Sequence, residues 1–374
     1  MYQRELEKVV LERARDGKIL MIVGARQVGK TTLVRDVAAK LGGSVASFNG
    51  DDPSDRDALS GKSLAQLREA VGSAGIVIVD EAHKIPGIGD ALKLMVDAFG
   101  KEKVLLVTGS STVGLLDSTS EPLTGRKWVW RMFGLTPREL FPQGMARKLP
   151  DALEGLLRFG GYPEVATLPD ARLKSARLEE IASGALYRDI LEFQGVRNAH
   201  VLHSLVKALA LQVGNEVSYS ELSKTVGVDY KTVERYVDLL EKSHVVFRLA
   251  PFARNRRHEI TKMKKIYFWD TGVRNAALGD FRALGQRTDV GALFENWFVA
   301  ERMKRAAYRG ESTRFGFWRT HAGAEVDLVE EDADGVRGIE IKWSSDKAKA
   351  PAAWAAEKFP WDLVNRSNCA SWLA

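Results

Sequence analysis

Gly24-Ala25-Arg26-Gln27-Val28-Gly29-Lys30-Thr31 fits the pattern G-x-x-x-x-G-K-[ST] at every fixed position, and Thr32 continues it. An apolar run precedes it and helix-forming text over 32–41 follows, the strand–loop–helix setting in which this pattern cradles phosphates. Glycines let the backbone wrap an anion, while loop amides and the helix N-terminus supply positive potential. Lys30 then neutralises charge on the outer phosphates, and Thr31 offers a hydroxyl to Mg²⁺. A second apolar run, Ile76–Val79, ends in Asp80-Glu81. There Asp80 holds the Mg²⁺ through water and Glu81 polarises the attacking water. A third run, Val104–Val107, ends in Thr108-Gly109-Ser110-Ser111. Polar residues at that tip sense the terminal phosphate and orient water between the two acids, with Ser110 favoured over its neighbours Thr108 and Ser111. Arg126, in Leu123-Thr124-Gly125-Arg126, is a candidate arginine finger reaching a neighbouring subunit's nucleotide. With Lys127 and Arg131 it reads equally as a surface arginine in a basic hairpin. The reaction these residues suit is ATP hydrolysis with Mg²⁺.

A second group of acids lies near the other end. Glu295 sits in Phe294-Glu295-Asn296-Trp297-Phe298, Asp327 in Glu325-Val326-Asp327-Leu328-Val329, and Glu340-Ile341-Lys342 follows thirteen residues after Asp327. Residues 340 and 342 share one face of a strand, so the acid can bind a metal while the lysine holds a nucleophilic water. Asp327 on an adjacent strand completes a hard-oxygen site for Mg²⁺ or Mn²⁺. This order of an acid, Asp and Glu-x-Lys resembles the PD-(D/E)XK nuclease fold, which implies metal-dependent DNA cleavage. A degenerate domain kept for packing or DNA contact is the other reading.

Between the two groups, Ser218-Tyr219-Ser220-Glu221-Leu222 opens a short helix with a capping-box-like start. A Gly227-Val228-Asp229 turn and a second helix, Tyr230 to Lys242, make a helix-turn-helix. A β-like run follows, Val245 to Leu249, of which Phe247-Arg248-Leu249 and a strand around Lys265–Trp269 are expected to form a wing. Lys231, Thr232 and Arg235 on the exposed face suit phosphate or base contacts, and Arg254, Arg256, Arg257, Lys262, Lys264 and Lys265 make the wing basic. Winged helices also serve as protein–protein modules. Charge favours the nucleic acid. Of the 55 Lys/Arg and 49 Asp/Glu, 16 and 10 fall between Gly195 and Val290, so the remaining 39 and 39 cancel and the net +6 sits in this segment.

The elements that must position these residues are those of an α/β chain. Residues 1–140 alternate short apolar runs with amphipathic stretches, the pattern of a parallel sheet with crossover helices. Expected strands are Lys18–Val23, Val45–Phe48, Ile76–Val79, Val104–Val107 and one near Trp128–Met132. Text from Asp151 to Gln194 is mostly helical, broken by Gly160-Gly161-Tyr162-Pro163. The C-terminal part reads as a helix, Ala292–Ala307, and strands near Arg314–Thr320, Glu325–Glu330 and Gly338–Trp343. At 374 residues two or three domains are expected. Apolar runs of four or five residues are far below the roughly 20 that span a bilayer. The single Cys369 excludes an intramolecular disulfide and a cysteine zinc site. With no apolar leader, a cytoplasmic protein is expected.

The phosphate motif, Asp80-Glu81-Ala82-His83-Lys84-Ile85-Pro86, Thr108–Ser111 and Leu123–Arg126 together resemble AAA+ ATPases of the AAA_14 group, related in their ATP module to archaeal-type and STAND ATPases. Asp80-Glu81-Ala82-His83 also spells a helicase box, but paired RecA domains and other helicase motifs are missing. Gly160–Pro163 and Tyr187-Arg188-Asp189-Ile190 resemble that family's lid, with Arg188 a sensor candidate, and the C-terminal half resembles the DUF4143 domain. The resemblance implies a P-loop core (1–142), a helical lid and linker (143–199), a winged helix (200–275) and a nuclease-like α/β domain (276–374). It implies ATP and Mg²⁺ as cofactors; the basic winged-helix segment adds duplex or branched DNA as the expected partner, and the candidate arginine finger a homo-oligomer such as a hexameric ring. A STAND-type signalling switch and an ATP-gated DNA-binding regulator without cleavage are the rival readings.

Overall fold

The structure, a computed structural model, describes residues 2–110, 123–185, 198–253 and 263–374. Ser111, Tyr187–Ile190, Arg254, Arg256, Arg257 and Lys262 lie outside the described residues. Two compact units emerge: Met1–Phe133 with Lys242–His244, and Gly134–Glu241 with Val245–Ala374. The four segments expected from the sequence are distributed over these two.

The first unit is built on five parallel strands, β1 (Ile19–Val23), β2 (Val45–Asn49), β3 (Ile76–Asp80), β4 (Val104–Gly109) and β5 (Lys127–Arg131), in the order β2-β3-β4-β1-β5. β1 is buried along its whole length and β3 up to Asp80. This accounts for their unbroken apolar text, because a parallel sheet is covered on both faces. The helix Ile88–Phe99 lays Leu92, Met95 and Phe99 into the core against Val77, Leu105 and Val107. Each such side chain contributes on the order of 1.5–3 kcal/mol by leaving water. Because the strands are parallel, their carboxyl ends lie at one edge of the sheet. β4 stands between β1 and β3, so the residues after β4 separate the loop after β1 from the acids after β3.

In the second unit a seven-stranded sheet runs β12-β11-β10-β9-β7-β8-β6. Its strands are β6 (Glu216–Val217), β7 (Val246–Pro251), β8 (Lys264–Phe268), β9 (Arg314–Arg319), β10 (Glu325–Asp332), β11 (Gly335–Ile341) and β12 (Trp361–Val364). The helices Tyr219–Val226 and Tyr230–Lys242 precede the antiparallel pair β7–β8, and the Ser218 hydroxyl caps the first through the Glu221 amide at 3.3 Å. Val233, Val237 and Leu240 are fully buried. The hairpin is not a free-standing wing: β7 pairs in parallel with β9, Ala250 against Gly316. A register shift between Val326 and Val329 bulges β10 at Asp327.

Gly160 and Gly161 have a packing reason. Asp270 is buried, and its carboxylate accepts from the Gly161 amide at 2.7 Å and the Val273 amide at 3.1 Å. A Cβ on Gly160, whose φ is +66°, would lie 2.0 Å from Asp270 Oδ1. The motif is therefore a backbone cradle for a buried carboxylate within this unit. Among the described residues no helix is long and apolar enough to cross a membrane.

Candidate active site

The loop after β1 needs its glycines. A Cβ on Gly24 would stand 2.1 Å from the Met132 carbonyl oxygen at the end of β5. Gly29 has φ +99° and opens the helix Lys30–Leu41, and Gln27 is also left-handed at φ +63°. Lys30 is buried and its ammonium donates to the Gly24 carbonyl at 2.9 Å and the Ala25 carbonyl at 2.8 Å. Ala25 and Val28 are buried beneath the loop, Arg26 is half-buried, Gln27 is exposed, and Thr32 is exposed on the first helical turn. Arg4 completes the loop from outside the motif. Its guanidinium donates to the Val28 carbonyl and the Phe133 carbonyl, each at 2.6 Å. Nothing in the spacing of the motif points to Arg4; the only signal is an arginine before an amphipathic helix.

Asp80 and Glu81 arrive as expected at the same edge. Thr31 Oγ1 donates to Asp80 Oδ2 at 2.7 Å, so hydroxyl and carboxylate already share one point beside Lys30. Thr108, from the strand between them, donates to the other Asp80 oxygen and accepts from the Glu81 amide at 3.3 Å. Ser110 Oγ donates to Glu81 Oε2 at 3.2 Å, and His83 Nδ1 lies 3.4 Å from the same oxygen. Glu81 has φ +47°. The close approach of Gly50, where a Cβ would meet the Glu81 carbonyl oxygen at 2.2 Å, fixes that turn from the neighbouring strand. Both polar residues of the β4 tip are thus placed, Thr108 on Asp80 and Ser110 on Glu81. Arg126 is elsewhere. It is half-buried, ion-paired with Asp97 at 2.6 Å, and its carbonyl accepts from the Ile19 amide at the opposite end of β1.

These residues fit a magnesium nucleotide: a lysine on loop carbonyls, a hydroxyl against a carboxylate, and a second carboxylate held by a serine. Bound there, ATP would supply the terminal phosphoryl bond to be broken and Mg²⁺ the positive charge that offsets the phosphates. Thr31 and Asp80 would hold the metal, the loop amides and Lys30 the phosphates, and Glu81 the water.

Lys231 and Arg235 are exposed on the second helix of the helix-turn-helix, and Thr232 gives its hydroxyl to Asp229 at 2.6 Å. Lys264 is half-buried. Lys265 corrects the expectation of a DNA contact, because it is 1% exposed and points inward. It pairs with Glu325 and, at 3.4 Å, with Glu295, while Tyr267 donates to Glu295 at 2.7 Å. Asp327 accepts the Ile341 amide at 2.8 Å, and Lys342 takes Glu340 at 2.7 Å and Asp327 at 3.8 Å. Glu295, Asp327, Glu340 and Lys342 do gather. As the side chains stand, no three acidic, His or Cys groups among the described residues are disposed to hold a metal ion. One oxygen of each acid takes a donor here: Glu295 Oε1 from Tyr267 and Lys265, Asp327 Oδ2 from the Ile341 amide, and Glu340 Oε1 from Lys342.

Glu295 is pushed up to about 7, first by burial, with Lys265 and the Tyr267 hydroxyl opposing and Asp327 and Glu325 reinforcing. Its folded value exceeds the unfolded one, so its contribution is full below about 4.5 and is lost as pH rises through about 7. Glu295→Gln keeps an acceptor for Tyr267 and removes the titration. The variant is expected to gain up to about 3 kcal/mol relative to the parent between pH 5 and pH 8. Denaturant titrations at the two pH values check this, and a pH-independent difference would refute it.

Residues 16–141 match an AAA domain, 150–284 a domain of unknown function (DUF8612), and 290–359 a domain of unknown function (DUF4143). Uncharacterized proteins of Mycobacterium bovis and Mycobacterium tuberculosis are each 31% identical over 330 residues, which span 87% of this chain and 70% of theirs. Among solved structures, the Thermotoga maritima RuvB Holliday junction branch migration motor matches 66% of this chain and 90% of its own, with 17% identity and a TM-score of 0.36.

Proposed function

This chain belongs to the family of the two mycobacterial proteins, carrying an AAA-type ATPase domain and a DUF4143 segment, and from that premise we propose that it hydrolyses ATP to bind and remodel DNA, duplex or branched. One observation carries the ATP half: Thr31 and Asp80 meet at 2.7 Å beside Lys30, with Glu81 held by Ser110 across the β4 tip. The DNA half rests on the winged-helix order of elements, in which the helix Tyr230–Lys242 leads into the β7–β8 hairpin and presents Lys231 and Arg235 to solvent. In this reading Arg126 works in trans, so the active form is a homo-oligomer, with a hexameric ring as one arrangement.

ATP turnover measured with and without single-stranded, duplex and four-way-junction DNA tests the proposal. Stimulation by DNA is expected; slow turnover with tight ADP retention and no response to any DNA would replace it with a signalling switch. Binding has its own signature. Lys231→Glu with Arg235→Glu is expected to flatten the slope of log K against log salt by about one unit for each phosphate left without its cation. Unchanged affinity and slope would make that helix face merely solvated.

A further inference from the structure

Four carboxylates of the second unit, Glu295, Glu325, Asp327 and Glu340, surround two ammonium groups of different kinds. Lys342 is 45% exposed and reaches Glu340 and Asp327 from the solvent side. Lys265 is 1% exposed, contacts Glu325 and Glu295, and stands 5.3 Å from the centre of the Phe317 ring. It shares a face of β8 with Tyr267, two residues on, whose hydroxyl fixes the far acid. An ammonium in such a place is retained only while it is paired. A divalent metal would need several oxygens converging at about 2.0–2.2 Å on one point. Here each acid is instead turned to its own donor, Glu325 and Glu295 to Lys265, Asp327 to the Ile341 amide and Glu340 to Lys342.

We propose that Lys265 is the resident cation of this carboxylate nest, standing in the place of a divalent metal, excluding it, and fastening β8 to β10 and to the helix Val290–Arg309. The nest then joins the hairpin to the C-terminal strands through charge rather than serving as a metal centre. This inference is independent of the ATP and DNA readings.

The test uses the full chain without nucleotide, in an Asp80→Asn background that removes the acid of the other metal site. Free Mn²⁺ is followed by electron paramagnetic resonance, with the thermal midpoint read in parallel. With Lys265 present, no Mn²⁺ uptake and no midpoint shift are expected. Lys265→Ala is expected to take up about one equivalent, with a raised midpoint. Adding Asp327→Asn should abolish that uptake, and Lys265→Arg should take up none. A Lys265→Ala chain that folds only with Mn²⁺ supports the proposal equally. Two results overturn it: Mn²⁺ uptake by the Lys265 chain that Asp327→Asn removes, or a folded Lys265→Ala or Lys265→Gln chain that takes up none. Should neither of those variants fold with or without Mn²⁺, uptake by the Lys265 chain decides the matter.

Discussion

Glu81→Gln is expected to bind ATP as the unaltered chain does while losing turnover by about 10²–10⁴-fold, the usual contribution of a positioned general base. The two effects separate because the groups separate. Phosphate binding draws on the loop Gly24–Thr31, where Lys30 donates to the Gly24 and Ala25 carbonyls and Thr31 to Asp80. Glu81 meets Ser110 and His83 instead, at the tip where a water must be aligned. Glutamine keeps the shape and an oxygen for Ser110 but removes the charge that draws the proton. Lys30→Ala should weaken both binding and turnover, since it removes the cation that the loop carbonyls aim. Phosphate release under saturating ATP, with a fluorescent-nucleotide titration, reads the two quantities separately. Equal turnover in Glu81→Gln would take it out of the chemistry.

Arg126→Ala is expected to reduce hydrolysis by about 10³-fold or more, the scale on which an arginine finger acts, and to be rescued by a partner that is itself dead. Within one chain Arg126 cannot reach the loop. It precedes β5 beside Ile19, and the five residues from Ile19 to Gly24 put roughly 16 Å of strand between them. Its guanidinium is partly exposed on Asp97, a pairing that water competes for and that contributes little. It is therefore available to serve another copy. Mixing Arg126→Ala chains with Lys30→Ala chains creates interfaces where an intact arginine faces an intact loop. Partial recovery of turnover is expected on mixing, read against each variant alone. A monomer at working concentration with full activity would end the idea.

The three central strands β1, β3 and β4 are legible because apolar runs in a doubly covered sheet leave little ambiguity, while β2 and β5 at the edges show through their spacing from these. The loop and both acids are legible for the same reason, since their positions are set by strand ends. Three features are not. Arg4 acts through space on a loop more than twenty residues away, and no periodicity announces such a reach. Lys265 stands next to Lys264 in a basic stretch and so reads as surface, although its period-two partner Tyr267 is the available hint that this face turns inward. β12 escapes the pattern because Trp361–Val364 is four residues long and alternates weakly. The helix-turn-helix and its hairpin are legible as elements, but the pairing of β7 with β9 brings residues more than sixty apart into register, which no local pattern encodes.

That pairing has an evolutionary corollary. The hairpin beside the helix-turn-helix and the strands bearing the acids share one hydrogen-bonded sheet, so each half keeps one outer edge, β6 or β12, and lacks the other. Recombination at the apparent seam near residue 275 would leave β7 and β9 as raw edges, each a template for mispairing with other chains. The shared sheet therefore favours exchange of the two halves as one piece. Change on the exposed face of the helix Tyr230–Lys242 is then compatible with the shared sheet only by point substitution, which leaves β7 and β9 paired.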